Sequence, residues 1–205
     1  MKNKIKHISL ALAVFACITG CSIHSSENPL LSALEKVNIS SQSPKTFLLP
    51  VNATLPQGER VNVAIQRPQA FKCLQGDPTS SMPSTLEFIP ETDTDPYKWS
   101  EIITINCFPG KGIQSKYITQ FMKQNIKGKV LEENSKNFKA YSTSSIAISY
   151  TANDRRELLY AKYFSGPNDC AGFQCSIALT DQMTESQALD KIKEFEKTQV
   201  AVFEF

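Results

Sequence analysis

Ser145-Ile-Ala-Ile-Ser-Tyr-Thr151, the pair Asn153-Asp154, and Glu157-Leu-Leu-Tyr-Ala-Lys-Tyr-Phe164 decide the fold. Two runs dense in β-branched and aromatic residues flank a dipeptide suited to a tight turn, the pattern of an antiparallel hairpin. Working outward, Lys129-Val-Leu-Glu-Glu133 and Phe138 to Thr143 read as two further strands before it, with turns at Asn134-Ser135 and at Ser144. After it, Ser165 to Gln174 reads as a loop and Ser176-Ile-Ala-Leu179 as another strand. A helix opens on the capping box Thr184-Glu-Ser-Gln187, burying Ala188, Leu189, Ile192 and Phe195. Val200 to Phe205 closes the chain as a strand.

Upstream, Thr46 to Val51, Arg60 to Gln66, Ala70 to Leu74, Thr85 to Pro90 and Ile102 to Cys107 are strand-like, with Ala70 to Leu74 at an edge. Val61, Val63 and Ile65 alternate onto one face. Pro56-Gln57-Gly58-Glu59 supplies a turn, and 76–84 is a loop rich in Pro, Ser and Asp. Gly110 and Gly112 precede a helix from Ile113 to Ile126, whose apolar positions Ile113, Tyr117, Ile118, Phe121, Met122 and Ile126 predict one buried stripe ended by Gly128. Runs of strands broken by two separated helices predict an α+β domain, a mainly antiparallel twisted sheet with two helices packed on it. No repeat at a fixed period of 20–50 residues is present, which argues against a solenoid.

The first 45 residues have a different character. Lys2, Lys4 and Lys6 precede an apolar run from Ile8 to Cys17, too short for the ~20 residues a membrane span needs. Ile18-Thr19-Gly20-Cys21 follows, and the whole resembles a bacterial lipoprotein signal with its lipobox. The resemblance implies cleavage before Cys21 and lipid (palmitate among the acyl chains) on its sulfur and amino group. Ser22 rather than Asp after the cysteine resembles the class sent to the outer membrane, facing the periplasm. The chain then reads as a signal peptide over 1–20, a tether over 21–45 and one globular domain over 46–205. Within the tether, Pro29 to Val37 fits a short helix with Leu30, Leu34 and Val37 on one side.

Composition narrows the function. Removing residues 1–20 takes Lys2, Lys4 and Lys6 and no acid, so 22 basic residues become 19 against 20 acids. A nearly neutral domain without a basic block leaves no electrostatic footprint for nucleic acid. The only histidines are His7 and His24, both outside the predicted domain. Ser-His-Asp and Cys-His machinery and histidine-ligated metal sites are thereby excluded from it. Ser/Lys or paired-carboxylate chemistry is left, but no spacing singles out a pair, so no catalytic residue, cofactor or enzymatic activity is expected.

Cys73, Cys107, Cys170 and Cys175 remain after the signal and the lipidated cysteine are set aside. An even number in an exported chain predicts disulfides, Cys170–Cys175 across a local loop and Cys73–Cys107 between distant segments. The spacings lack the C-x2-C pairs of a zinc site.

Binding candidates are fewer. Glu91, Asp93, Asp95 and Glu101 are close enough to suggest calcium, but the glycine bend and late bidentate Glu of such loops are missing, so a solvated turn is expected. Trp99, the single tryptophan, and Tyr97 are candidate anchors on a partner-facing loop, the alternative for Trp99 being a cap over the core. Arg155 and Arg156, expected at a solvated hairpin tip, are candidate carboxylate or phosphate contacts. Gly110-Lys-Gly112 lacks the spacing of a phosphate loop. Tyr141, Tyr150, Tyr160 and Tyr163 fall on strands at both parities, the pattern of ordinary sheet surface.

Leu86-Glu-Phe-Ile-Pro-Glu91, then Trp99-Ser-Glu-Ile-Ile-Thr-Ile105, then a helix, resembles small exported bacterial proteins of PsbP-like type. That resemblance covers about Thr85 to Phe205. It implies a PsbP-like sandwich and a binding or assembly role without catalytic residues. It accounts for neither the cysteines nor the segment before Thr85. Together these readings predict an envelope lipoprotein held at the membrane by Cys21, acting as an accessory subunit of an envelope complex such as a secretion apparatus through a protein partner. The alternative is a periplasmic small-ligand carrier with an apolar pocket between sheet and helices.

Overall fold

The computed structural model describes residues 46–51, 61–76 and 85–204. The signal segment, Cys21, the tether with its Pro29 to Val37 helix, the 56–59 turn and the 77–84 loop lie outside the described residues. Lys45–Phe205 forms one compact unit.

Among the described residues ten strands fall into two sheets. β1 (Thr46–Pro50), β2 (Val61–Gln66) and β10 (Val200–Glu204) make the smaller, in the order β1-β2-β10. β3 (Phe71–Gln75), β4 (Thr85–Pro90), β5 (Glu101–Phe108), β6 (Gly128–Asn137), β7 (Ser142–Ala152), β8 (Arg155–Ser165) and β9 (Cys170–Ala178) make the larger, in the order β3-β4-β5-β9-β8-β7-β6. Every pairing among them is antiparallel. Two helices, α1 (Ser115–Asn125) and α2 (Glu185–Gln199), complete the described residues. The mainly antiparallel α+β architecture matches expectation, but one expected sheet is two, because β10 leaves the large sheet to pair with β2.

Register assigns the two faces of the large sheet, since residues opposite one another point the same way. Ile103, Cys175, Tyr160 and Ala147 form one cross-strand row. With Phe47, Leu49, Val61, Val63 and Ile65 of the small sheet and Ala188 and Ile192 of α2, they share the main core. The other face carries α1, which packs on β7 and β8.

That helix differs from the predicted stripe. Its sheet-facing residues are Ser115, Ile118, Thr119 and Met122, while Tyr117 and Phe121 are exposed. The stripe was drawn too wide because two hydroxyls take inward positions. The Ser115 backbone N–H donates to Ser165 Oγ at 2.9 Å, filling the place of an absent side-chain cap at Gln114. Thr119 Oγ1 meets Ser144 Oγ at 2.7 Å.

Ser144 is therefore inside a strand rather than a turn, and so are Asn134 and Ser135. β6 and β7 run past them to a hairpin end where Phe138 N–H donates to the Tyr141 carbonyl and the two rings stack at 4.6 Å. Gly172 and Gly128 hold positions that resist any side chain. At Gly172 an added Cβ would sit 2.2 Å from the Lys162 carbonyl oxygen, and at Gly128 2.4 Å from that of Ser149. The Asn153-Asp154 turn is as expected, both residues having positive φ (50° and 63°) as a two-residue hairpin loop requires.

The expected disulfides are corrected. Residues 170–174, read as a pinned loop, are strand β9, and Cys170 and Cys175 stand five residues apart along it. That separation is about 16 Å at strand rise, against the roughly 7 Å Cα limit for a bridge. Cys73 lies opposite Phe88, which lies opposite Ile103, leaving Cys107 two strands away and four residues further along. Cys107 and Cys170 are on adjacent strands but one residue out of register, so they face opposite sides of the sheet. Cys107, Cys170 and Cys175 are free thiols. Burial, with the Asp169 charge adding to it, pushes the Cys107 thiol up to about 12. Burial raises Cys170 and Cys175 in the same way.

Candidate functional site

The loop between β4 and β5, residues 91–100, brings two of the predicted binding residues together and is held from several directions. Glu91 N–H donates to the Ala70 carbonyl at 2.7 Å, and Lys72 Nζ to the Asp93 carbonyl at 2.6 Å, tying the loop to β3. Asp93 accepts from the Ser100 N–H at 2.6 Å, closing the loop on itself. Asp95 accepts from the Tyr97 N–H at 2.9 Å. The Asp93 and Asp95 carboxylates are thus occupied in turn formation, while Glu101 points to the core face and pairs with Lys191 of α2. Among the described residues no group of three or more His, Cys, Asp or Glu could hold a metal ion.

Trp99 is buried, packed with Ile89, Ile102 and Leu74 in a small second core. Its face is covered by the Arg155 guanidinium, 3.9 Å from the ring centroid. Arg155 Nη1 also donates to the Trp99 carbonyl at 2.9 Å, and its Nε to Glu157 Oε1 at 3.0 Å. Glu157 in turn accepts a short hydrogen bond from Tyr150. Burial and the Glu157 charge beside it raise the Tyr150 phenol, keeping it a donor. Arg155 is therefore not solvated at the hairpin tip, as expected, but is a strut between β8 and the loop. The loop presents Tyr97, which is 69% exposed.

Arg156 does not join this site. Neighbouring strand residues point to opposite faces, and Arg156 lies 3.8 Å from Glu185 at the start of α2. There it lines an open cleft of about 540 Å³ with Thr180, Asp181, Met183, Thr184 and Ser186. A hydrogen bond from Ser149, opposed by partial desolvation and helped by Lys129 and Arg156, lowers the Glu185 carboxyl. These contacts hold the start of α2, where Thr184 and Gln187 complete the expected capping box.

A second polar constellation went unforeseen. On the α1-bearing face, Asn106, Gly172 and Tyr163 lie opposite one another across three strands, and Glu87, Thr104 and Gln174 form the adjacent row. Asn106 Nδ2 and Gln174 Nε2 donate to Tyr163 Oη at 2.9 and 2.6 Å, and Gly172 leaves room for the ring. Thr104 reaches Glu87 only at 3.5 Å, and Gln174 Oε1 has no partner. Desolvation raises the Glu87 carboxyl against the lowering effect of Thr104. The signal was polar residues alternating with Leu86, Phe88, Ile103, Ile105 and Phe173, legible only once the register is known.

No protein-family model matches the chain, and no curated protein matches it. Several solved structures are similar to it, and three of them are as follows. One is the crystal structure of LpqN, described as involved in cell envelope biogenesis of Mycobacterium tuberculosis, with 15% identity, a TM-score of 0.42, and 77% of this chain and 91% of that chain covered. The second is a Bacteroides thetaiotaomicron protein, with 13% identity, a TM-score of 0.37, and 69% and 45% covered. The third is the solution structure of cyanobacterial PsbP from Synechocystis, with 8% identity, a TM-score of 0.44, and 74% and 96% covered.

Proposed function

We propose that the chain is a cell-envelope lipoprotein with a PsbP-like domain, anchored through Cys21 in the outer membrane and facing the periplasm, that acts by binding another protein as an accessory or assembly subunit. One observation carries the reading: a fully braced loop that exposes an aromatic. Tyr97 stands on backbone fixed by Asp93, Asp95 and the Trp99–Arg155 stack, so little side-chain or loop entropy is lost when a partner covers it. The carrier alternative has less support, because Tyr160, Phe173, Ile103 and Ile192 fill the space between the large sheet and α2.

A photo-crosslinker placed at Tyr97 in cells tests the proposal. It should give one discrete adduct with an envelope protein, and Tyr97→Ala should abolish co-purification after mild detergent extraction while leaving the unfolding transition unchanged. A monomer carrying a bound small molecule, with no adduct, would overturn it.

A further inference from the structure

Residues 102–131 hold five lysines, at 111, 116, 123, 127 and 129, and neither Asp nor Glu. α1 runs through the middle of this stretch with its inward face fixed by Ser115, Ile118, Thr119 and Met122. At 3.6 residues per turn the remaining positions divide into two flanks. Lys123 lies toward β6, as its ion pair with Glu133 shows, Lys116 Nζ reaches to 5.4 Å from the Tyr117 ring centroid, and Lys127 follows the end of the helix. Tyr117 and Phe121 lie on the other flank, 56% and 45% exposed. Val130, exposed at the start of β6, adds an apolar position. Lys129 pairs with Glu185, whereas Lys111, Lys116 and Lys127 have no carboxylate partner among the described residues.

Lysine beside exposed aromatics separates two kinds of occupant. Protein interfaces are depleted in Lys and take Arg as their cation. Membrane-surface helices place lysines toward headgroups and bulky apolar or aromatic side chains at the acyl boundary. Every cation here is Lys, and the local charge is positive on a domain that is nearly neutral as a whole. We propose that the outward face of α1 docks on an anionic phospholipid surface. Its setting rests on the anchored reading. Lipid at Cys21, in the same chain, would make the docking contact intramolecular. The anchor then adds to a contact that the domain makes by itself and fixes its orientation.

The test uses residues 45–205, a compact unit that contains the main core and lacks Cys21. It is floated with vesicles of equal parts phosphatidylglycerol and phosphatidylcholine, and with phosphatidylcholine alone. Binding to the anionic vesicles only, weakening with salt, is expected. Each lysine near the surface accounts for about fivefold in affinity, so Lys111→Glu with Lys127→Glu should weaken binding by at least about 25-fold. Tyr117→Ser with Phe121→Ser should weaken it on anionic vesicles, and Lys197→Glu, on α2, should leave it unchanged. All these side chains are exposed, so folding is retained. Binding to both lipids alike, to neither, or with affinity indifferent to the two double variants overturns the proposal. Failure here leaves the Cys21 anchor untouched, and loss of membrane association in the Cys21→Ser full chain leaves the α1 face untouched.

Discussion

Replacing Arg155 by Ala removes three interactions at once, and their sum decides whether the β4–β5 loop is braced or merely adjacent. The stack over Trp99 contributes about 1 kcal/mol, and the charged donor to the Trp99 carbonyl about 1.5–3 kcal/mol. The remainder comes from Glu157, whose side chain is 9% exposed and would lose its cation while keeping only the Tyr150 donor. Breaking such a pair from one side costs about 3–5 kcal/mol. The three share one side chain and are not additive, so about 3–4 kcal/mol is the expected total. With a urea dependence of roughly 1–3 kcal/mol per molar, the midpoint should fall by about 1–4 M. Trp99 is the only tryptophan and reports on the loop directly. Its emission should move to longer wavelength and its acrylamide quenching rise in the variant. Arg155→Lys, which keeps the charge but not the planar fork, should fall between. A loss under about 1 kcal/mol with unchanged quenching would refute the reasoning, since the loop would then stand without the guanidinium.

Gly172→Ala places a Cβ against the backbone of Lys162 and Tyr163; a cost of about 2–3 kcal/mol is expected in chemical unfolding, and a neutral outcome would mean the strands separate freely there. The buried thiols of Cys107, Cys170 and Cys175 should react with a thiol reagent only on unfolding, and a mass spectrum of the unreduced protein should show neither a Cys170–Cys175 nor a Cys73–Cys107 bridge. Glu87 binds its proton more tightly folded than unfolded, so its contribution to stability is full below the ordinary value of 4.5 and is lost as pH rises through the raised one. Glu87→Gln should remove that decline from the pH dependence of the melting temperature; an identical profile in both proteins would show that Glu87 ionises as freely folded as unfolded.

How much of this was legible in the sequence follows from the range of the physics involved. The α2 capping box is local, three residues reaching back to one backbone, and it is found where the pattern places it. The Asn153-Asp154 turn is equally local. Position in a sheet is not. Ser144 and Ser135 read as turn residues because serine competes with regular structure, yet here each hydroxyl is satisfied across strands and by α1. The same neglect of partners made a loop of residues 170–174 and suggested a bridge that one continuous strand forbids. At the candidate site, Trp99 and Tyr97 could be singled out by residue type alone. Sequence joined Arg155 to Arg156, however, because adjacency in the chain hides the two-fold alternation of a strand. Glu157 and Tyr150 carried no signal apart from their register partners.

The pairing of β2 with β10 has a consequence for how the molecule comes into being. Val61 is registered against Glu204, nearly the whole domain apart. Closing a loop of that length costs roughly 4 kcal/mol in chain entropy before any contact repays it. Early-made β2 therefore waits beside β1 alone, a two-stranded ribbon that is marginal in water, until the last residues arrive. For the exported lipoprotein proposed above, that delay would keep the small sheet open while β10 has still to cross the membrane.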